Sequence, residues 1–477
     1  MTTRQPSAAL ERLCAAAVAL GLFLRAAGLG AAIGPQEMMS MRPAARPLAV
    51  LLRLLFNQTE VTDPPLFHVL LRGWVSVFGF TPLNVRMFTV LIGAASIPAA
   101  AWAAHKLSGA RAAWIAAAVV ALHPFAVSYS LVARSYCLLV LLGLFGIGLL
   151  VEAERRDTPA AWASFFAVAL AAALTHNHAP FMIIAAFAWL AYRARTGRWR
   201  PSARFALPAS AAAALYAAWI PGLLSQLHNS GIPADDPSPL AAAYALSGVG
   251  VEVEQSATLW PAPWLALLLC AALAAALAAR TRGRPRGVLL ALLAGGAFSV
   301  LLPILVSYAV TPIFSPSRHA IIALPALCLF WAAALAEGDP PTAKTAALVL
   351  AVLFSYPLAG FLTKERTPYP AIAETVAAMR RPGTEVLVQP SARRDFIALY
   401  DPAEARVPAP LCGRAAERLP PSVVIARIRL RKTVPESERC DWRVLRERYL
   451  QAETHAFGWY AVVSRYELRQ RGDEAKK

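Results

Sequence analysis

The chain has 477 residues, of which 58% are hydrophobic and only 16% charged, with a mean hydropathy of +0.50. Soluble domains carry about 25% charged residues, so a cytosolic enzyme, a disordered chain and a disulfide scaffold are all excluded. The 46 basic residues exceed the 28 acidic ones by 18, but this excess has no meaning for partners until the charges are placed. Forty of the 46 are Arg, in an Ala-rich chain, a bias that points to a high-GC bacterial genome.

A membrane-spanning helix needs about 20 mostly apolar residues. In chain order such stretches lie at 10–32, 86–104, 112–130, 136–151, 159–175, 179–192, 205–223, 259–279, 287–310, 319–336 and 343–362, eleven in all. The first follows Arg4 and Arg12, as a signal peptide would. Its apolar run exceeds the roughly 7–15 residues of that class, so it reads as an uncleaved anchor.

Segment 64–80 is also apolar, but it holds His68 and Arg72 and begins at Pro64-Pro65, which suits a helix start. The positive-inside rule assigns it. With 64–80 lying on the membrane surface, one side collects 16 basic residues and the other, before the tail, collects seven. With 64–80 as a span, fourteen of the sixteen would move outside. The N-terminus is therefore expected in the cytoplasm. Residues 33–85 become one long outer loop, with a second amphipathic stretch at 47–56 and helices lying in the interface plane. Residues 224–258, free of Lys and Arg, form a second outer loop.

Residues 1–363 thus read as a mainly α, polytopic membrane domain. Residues 364–477, with 22 basic and 15 acidic residues, read as a small extracytoplasmic α/β domain. Strands are predicted at 385–389 and 422–428, and helices at 369–380 and 441–450. Cys14, Cys137, Cys270 and Cys328 lie in apolar runs and read as small core residues. Cys412 and Cys440 lie in the polar tail, where an oxidising compartment would let them pair.

The outward acidic residues before the tail are Glu37, Glu60, Asp63, Asp235, Asp236, Glu252 and Glu254. Glu37 stands in an apolar setting just after the first helix, where a carboxylate is costly and functional by default. Asp63 precedes Pro64-Pro65, where it would also serve as a helix N-cap. Arg134 sits in Ser128–Tyr136 at the outer end of two helices, a place for a guanidinium that grips phosphate. His176 and His178 cap the next outer turn, and Arg318-His319 opens another helix at the same face. No carboxylate accompanies the two histidines locally, and no CxxC occurs, so neither a metal nor another cofactor is expected. A divalent ion has no support in the pattern. There is no Walker A motif and no GxGxxG opening a βαβ unit. Asn57-Gln58-Thr59 is a glycosylation sequon by pattern only.

Together these outward pieces resemble the GT-C fold of lipid-linked-sugar glycosyltransferases, in the protein-mannosyltransferase and aminoarabinose-transferase branch. Gln36-Glu37 stands where that family has an Asp-Glu pair, and Asp63-Pro64-Pro65-Leu66 matches its His-Pro-Pro-Leu surface helix. Val85-Arg86-Met87-Phe88 matches the start of the second span. His123-Pro124 and Tyr129-Ser-Leu-Val-Ala-Arg-Ser-Tyr136 match a Ser-Pro…Tyr-x-x-x-Ala-Arg-x-Tyr turn. Thr175-His176 matches a Thr-His turn, and Arg318-His319 with Leu324-Pro-Ala-Leu327 matches an Arg-Tyr…Leu-Pro-Ala-Leu helix. The match runs in order over about 10–336. It departs at Gln36 for the family Asp, Asp63 for the His before Pro-Pro, and Val132 for an acidic residue before Ala-Arg.

The resemblance implies an inverting transferase in a bacterial inner membrane. It would move a hexosyl or pentosyl group from a polyprenyl-phosphate donor to an extracytoplasmic lipid, glycan or protein acceptor, without nucleic acid. Glu37 is then the first candidate for the base and Asp63 the second. Arg134, Arg86 and Arg318 are candidate phosphate partners, assisted by His176, with Gln36, Tyr129, Tyr136, His178 and His319 completing the substrate site. Acceptor choice is assigned to 224–258 and the tail. Two rivals remain: a lipid flippase, for which Arg25 is the clearest charge placed inside a predicted span and has no evident partner, and a silent relative that only binds a lipid-linked glycan.

Overall fold

The computed structural model describes residues 7–30, 33–57, 63–229, 237–247, 250–253, 256–259, 263–281, 284–363, 368–389, 397–400, 411–412, 414–428, 436–457 and 461–469. Glu60, Asp235, Asp236, Glu254 and the end of the 57–59 sequon lie outside them. The chain divides into two compact units, Met1–Gly30 with Pro35–Lys364, and Ala31–Gly34 with Glu365–Lys477.

The first unit is helical. It runs α1 (Ala8–Ala27), three short helices α2 (Pro35–Ala44), α3 (Leu48–Asn57) and α4 (Pro65–Phe78), then the long α5 (Pro82–Ser108). Helices α6 (Ala110–Leu122), α7 (Pro124–Ser130), α8 (Tyr136–Arg156), α9 (Pro159–Ala173), α10 (Ala179–Arg195) and α11 (Ala203–Ala217) follow. Next come α12 (Ile220–Asn229), α13 (Pro239–Ser247) and a hairpin of β1 (Gly250–Val253) with β2 (Ser256–Leu259). The unit closes with α14 (Pro263–Arg280), α15 (Arg284–Ala309), the four-residue α16 (Pro316–His319), α17 (Leu324–Glu337) and α18 (Pro340–Thr363).

Local chemistry sets these ends. Thr81 caps α5 by accepting from the N–H of Asn84, with Pro82 at the first position, and Gly109 stops the helix at φ 85°. Thr158 and Pro159 repeat the same start for α9. Helix α11 has no buried residue, and Leu207 and Leu215 are exposed, as lipid-facing side chains would be.

Each of the eleven stretches expected to span carries helix. By length and composition, five helices among the described residues qualify: Pro82–Ser108, Tyr136–Arg156, Arg286–Ala309, Ala320–Glu337 and Pro340–Gly360. The pair α6–α7, bent by 59°, makes a sixth if it counts as one span. Helices α9 and α11, at 15 residues each, fall short of the length a perpendicular crossing needs. The protein is a multi-pass membrane protein, built from apolar helices whose outward faces carry Leu, Phe and Val.

The bend between α6 and α7 explains Arg25. Pro124 has no N–H, so the carbonyl of Val120 loses its helical donor. The N–H of Phe125 turns to Nδ1 of His123 at 3.2 Å, which leaves the carbonyl of Ala121 open as well. Arg25 on α1 donates to both, at 3.1 and 2.7 Å, and also to the carbonyl of Gly21 at 2.9 Å and to Ser130 Oγ at 3.2 Å. A charge that has no evident partner in the sequence is thus fully occupied capping a broken helix. Gly21 permits the approach, since a Cβ there would lie 2.3 Å from the carbonyl oxygen of Ala121.

The second unit holds α19 (Tyr369–Met379), β3 (Thr384–Gln389), β4 (Ser422–Ile428), α20 (Glu436–Arg448), β5 (Tyr449–Phe457) and β6 (Ala461–Leu468). The sheet order is β3-β4-β6-β5, with β3 and β4 parallel and the other pairs antiparallel. The helix expected over 441–450 ends at Arg448, and Tyr449 starts an unexpected strand. Strand β5 lies at the sheet edge and is exposed along most of its length, so it lacks the apolar alternation by which strands are read. Cys412 is disulfide-bonded; the side chain of Cys440 is outside the described residues.

Candidate active site

Asp63 does not cap α4. Pro64 occupies the cap position without a side-chain hydrogen bond, and the carboxylate of Asp63, 5% exposed, turns inward. Its Oδ2 lies 3.0 Å from the Nη2 atom of Arg134, itself 7% exposed, in the turn between α7 and α8. His68, one turn into α4, holds Nε2 3.8 Å from the same oxygen, beyond hydrogen-bond reach. Burial alone would raise the carboxyl of Asp63. The Arg134 guanidinium, with the His68 and His176 rings, outweighs burial and holds it well below the usual carboxylate range. Burial would likewise lower Arg134, but Asp63 and Tyr136 raise it, so the pair stays ionised.

Glu37 makes a different pair. Both of its oxygens take hydrogen bonds from Arg86, at 3.1 and 2.6 Å, and both side chains are fully buried. The N–H of Ala133 donates to Glu37 at 3.2 Å, and Arg86 also donates to the carbonyl of Leu29 at 3.0 Å. The two carboxylates singled out from the sequence are therefore not equivalent. Glu37 ties α2 to α5 and to the turn that carries Arg134. Asp63 faces the histidines.

The turns that follow α9 and α15 bring those histidines together. The N–H of Leu66 at the head of α4 donates to the carbonyl of Leu174 at 2.8 Å, which seats α4 against the end of α9. The ring of His176 lies 5.3 Å from Tyr136, 5.2 Å from His178 and 5.5 Å from His319, and His178 stacks on His319 at 3.9 Å. The guanidinium of Arg134 lies 5.9 Å from the ring centre of Tyr136, and Tyr129 packs edge-on to Tyr136 at 4.7 Å. Arg318 donates to Ser315 Oγ at 3.3 Å. Gln36 is half-buried at the start of α2, and its amide makes no hydrogen bond among the described residues. Of the residues expected in one site, Asp63, Arg134, Tyr136, His176, His178 and His319 converge, with Tyr129 behind Tyr136. Glu37 and Arg86 pair with each other instead.

His68 is the participant to which the sequence reading assigned no role. The signal was available: it lies on the first turn of the helix that Asp63 precedes. The sequence singles out His319 with Arg318 at the head of its helix, but its stacking on His178, 141 residues away in sequence, had no local signal.

One nitrogen from each of His176, His178 and His319 lies within 4.8 Å of the others, the spacing of a three-histidine metal centre. The tautomers point elsewhere. Nδ1 of His176 accepts the N–H of His178 at 3.1 Å, and Nδ1 of His319 accepts the N–H of Ser315 at 2.9 Å. In a neutral ring Nε2 must then carry the proton, so both rings present an N–H donor rather than a lone pair. Burial keeps His176 neutral, pushing its pKa down to about 4, with Asp63 opposing and Arg134 adding to the shift. His178 is likewise held neutral by burial, and neither of its ring nitrogens has a hydrogen bond of ordinary length. Two N–H donors beside a guanidinium suit an oxygen-rich anion better than a cation.

A cavity of about 750 Å³ is lined mostly by apolar side chains of α8, α9, α10, α15 and α17, with Glu154, Arg155, Arg193 and Arg198 at the end away from Ala179. Its wall follows α10 from Ala179, the residue after His178, to Arg193. At 1.5 Å per residue that is about 21 Å, a large part of a hydrocarbon core about 30 Å thick. Ile322, three residues after His319, lines it too.

No protein-family model matches the sequence, and no curated protein matches it. Solved structures do. ArnT from Cupriavidus metallidurans bound to undecaprenyl phosphate aligns with a TM-score of 0.58 at 14% identity, over 95% of this chain and 97% of that one. The apo state of the same protein gives 0.58 at 15% identity, over 96% and 98%. The archaeal oligosaccharyltransferase AglB from Archaeoglobus fulgidus, in complex with an inhibitory peptide and a dolichol-phosphate, gives 0.44 at 11% identity over 81% and 63%. The likeness to ArnT extends over nearly the whole of both chains, so the two share a fold.

Proposed function

We propose that the protein is an inverting glycosyltransferase that moves a sugar from a polyprenyl-phosphate donor to an acceptor hydroxyl outside the cytoplasm. The observation that carries this reading is the buried Asp63–Arg134 pair at 3.0 Å, set beside histidine N–H donors; a largely apolar cavity begins at Ala179, the residue after His178. The cavity volume lies within the roughly 300–1,000 Å³ of small-ligand pockets, and its length and apolar lining suit a polyprenyl chain. The solved ArnT with undecaprenyl phosphate lends the donor class by analogy of fold.

The chemistry follows from the pair. A donor phosphate is a stronger partner for Arg134 than a single carboxylate, and the Nε2–H groups of His176 and His319 add neutral donors to it. As Arg134 turns to the phosphate, Asp63 loses its counter-charge and becomes a better base. It then takes the proton of the acceptor hydroxyl while that oxygen attacks the anomeric carbon. The bond from that carbon to the phosphate oxygen breaks, and its electron pair leaves with the polyprenyl phosphate. One bond forms on the face opposite the one that breaks, which is inversion, and no covalent enzyme intermediate is needed. The three histidines need hold no metal in this scheme.

This reading reverses the order of the two candidate bases. Glu37 is held by three hydrogen bonds and has no route to a substrate proton without breaking its pair with Arg86. We assign it to positioning the turn that carries Arg134.

The test is release of free polyprenyl phosphate from a mixture of polyprenyl-phosphate sugars by the reconstituted protein, with a cell-envelope acceptor extract. Asp63→Asn should lower the rate by about 10²–10⁴, a loss far beyond that expected from its effect on stability, which falls because buried Arg134 loses its counter-charge. Glu37→Gln should lower the rate and the melting temperature together, since it weakens the hold on a buried arginine. Undiminished release by Asp63→Asn would sink the assignment of the base. Lipid movement without loss of sugar would make the protein a flippase.

A further inference from the structure

We propose that the C-terminal unit carries a cleft for an acidic saccharide, on the sheet face covered by α20. The inference goes beyond the transferase reading and does not depend on it. The cleft has a volume of about 380 Å³. Register builds its floor. Ile425 pairs with Ser464, and Ser464 with Thr454; Tyr466 pairs with Gln451. These residues share one face because side chains alternate along a strand, and an irregularity between Gln451 and Glu453 restores Thr454 to the side of Gln451.

The floor is polar and ordered. Thr454 and Ser464 share a hydrogen bond at 2.9 Å, Gln451 donates to Thr454 at 2.6 Å, and the Tyr466 hydroxyl donates to Gln451 at 3.4 Å. A fixed row of amide and hydroxyl groups matches the hydroxyls of a sugar ring. The wall is aromatic: Trp442 on α20 stands 6.3 Å from Tyr466, nearly perpendicular to it. Aromatic bodies with polar tips suit a ligand that has a C–H face and a hydroxyl rim.

The sign of the cleft is positive. Arg427 places its guanidinium 5.3 Å from the Trp442 ring centre, and Arg446 lines the same space. Both are exposed, and no carboxylate is among the lining residues that the structure describes. Glu453 pairs instead with Arg465 at 3.4 Å. Two guanidinium groups beside an aromatic and hydroxyl-lined cleft favour a sugar that carries carboxylate, sulfate or phosphate over a neutral one.

The test uses the full-length protein in nanodiscs and titrates tetragalacturonate against neutral maltotetraose by calorimetry. Tetragalacturonate should bind saturably, one per chain, and maltotetraose at least tenfold more weakly. The double change Arg427→Gln with Arg446→Gln, both at exposed positions, should weaken tetragalacturonate at least tenfold and leave the melting temperature unchanged. Trp442→Ala should abolish binding. Three results would overturn the proposal: no saturable binding, equal binding of the two oligosaccharides, or affinity that survives the double arginine change. Tighter binding of an acidic tetrapeptide would also overturn it. No donor lipid enters the assay, so its failure stands apart from failure of the Asp63→Asn release experiment.

Discussion

At the scale of single residues, what separates Glu37 from Asp63 is their partners. A bidentate arginine and a backbone N–H leave Glu37 committed, whereas Asp63 has one ionic contact to a residue that a phosphate can claim. This has a pH signature. Because Arg134 holds Asp63 ionised below the usual carboxylate range, the acid limb of kcat/KM in the wild type should fall below an ordinary Asp pKa of about 3.9. In Arg134→Gln burial loses its main opponent, so the limb should move to higher pH as well as to a lower plateau. A limb at the same pH in both proteins would show that Arg134 does not set the charge of Asp63. The neutral His176 makes a second pH statement. Its folded pKa of about 4 lies below the ordinary 6.5, so between those values the unfolded chain binds more protons than the folded one. Stability should therefore fall as pH drops from about 6.5 towards 4. The melting temperature in detergent should decline over that window, and His176→Gln should flatten the decline.

At the scale of elements, the break between α6 and α7 organises the outer face. Pro124 ends one helix, and the turn after α7 delivers Arg134. The bend is viable because Arg25 takes up the carbonyls that the break releases. Arg25→Leu would leave at least two buried carbonyls without donors, at about 1–3 kcal/mol each. A melting-temperature drop well beyond that of a surface Arg→Leu change, on the lipid-exposed end of α8 for example, is the expected result. Arg25→Lys, with fewer donors, should fall between. His123 ties the same break to α13, since its Nε2 lies 3.0 Å from the carbonyl of Leu246 while Nδ1 accepts from Phe125. Its four hydrogen bonds to protein account for Arg25 without a lipid partner.

At the scale of the membrane unit, a largely apolar cavity runs along α10 from Ala179, the residue after His178, to Arg193, and the proposed function seats the donor's polyprenyl chain in it. Gly146 offers a clean test, because it lines the cavity and a Cβ there would meet nothing within 4 Å. Gly146→Phe should leave the melting temperature unchanged and raise KM for long polyprenyl donors several-fold, with a smaller effect on a short-chain analogue. Equal effects on both chain lengths would place the lipid elsewhere.

The sequence alone determined the class of the protein and the position of most helices. Hydrophobic run length and capping residues are local and need no knowledge of packing. It also supplied six of the residues that meet around Asp63, because the turns carrying them break apolar runs at recognisable Pro, His and Arg positions. Tertiary structure alone decided which carboxylate is committed and which is available. Glu37 and Arg86 are 49 residues apart, Asp63 and Arg134 are 71 apart, and pairing between helices follows from packing geometry that no local pattern encodes. The same holds for Arg25, an unexplained charge in one dimension and a helix cap in three. It holds too for the edge strand β5, whose solvent-facing side chains erase the alternation that would announce it.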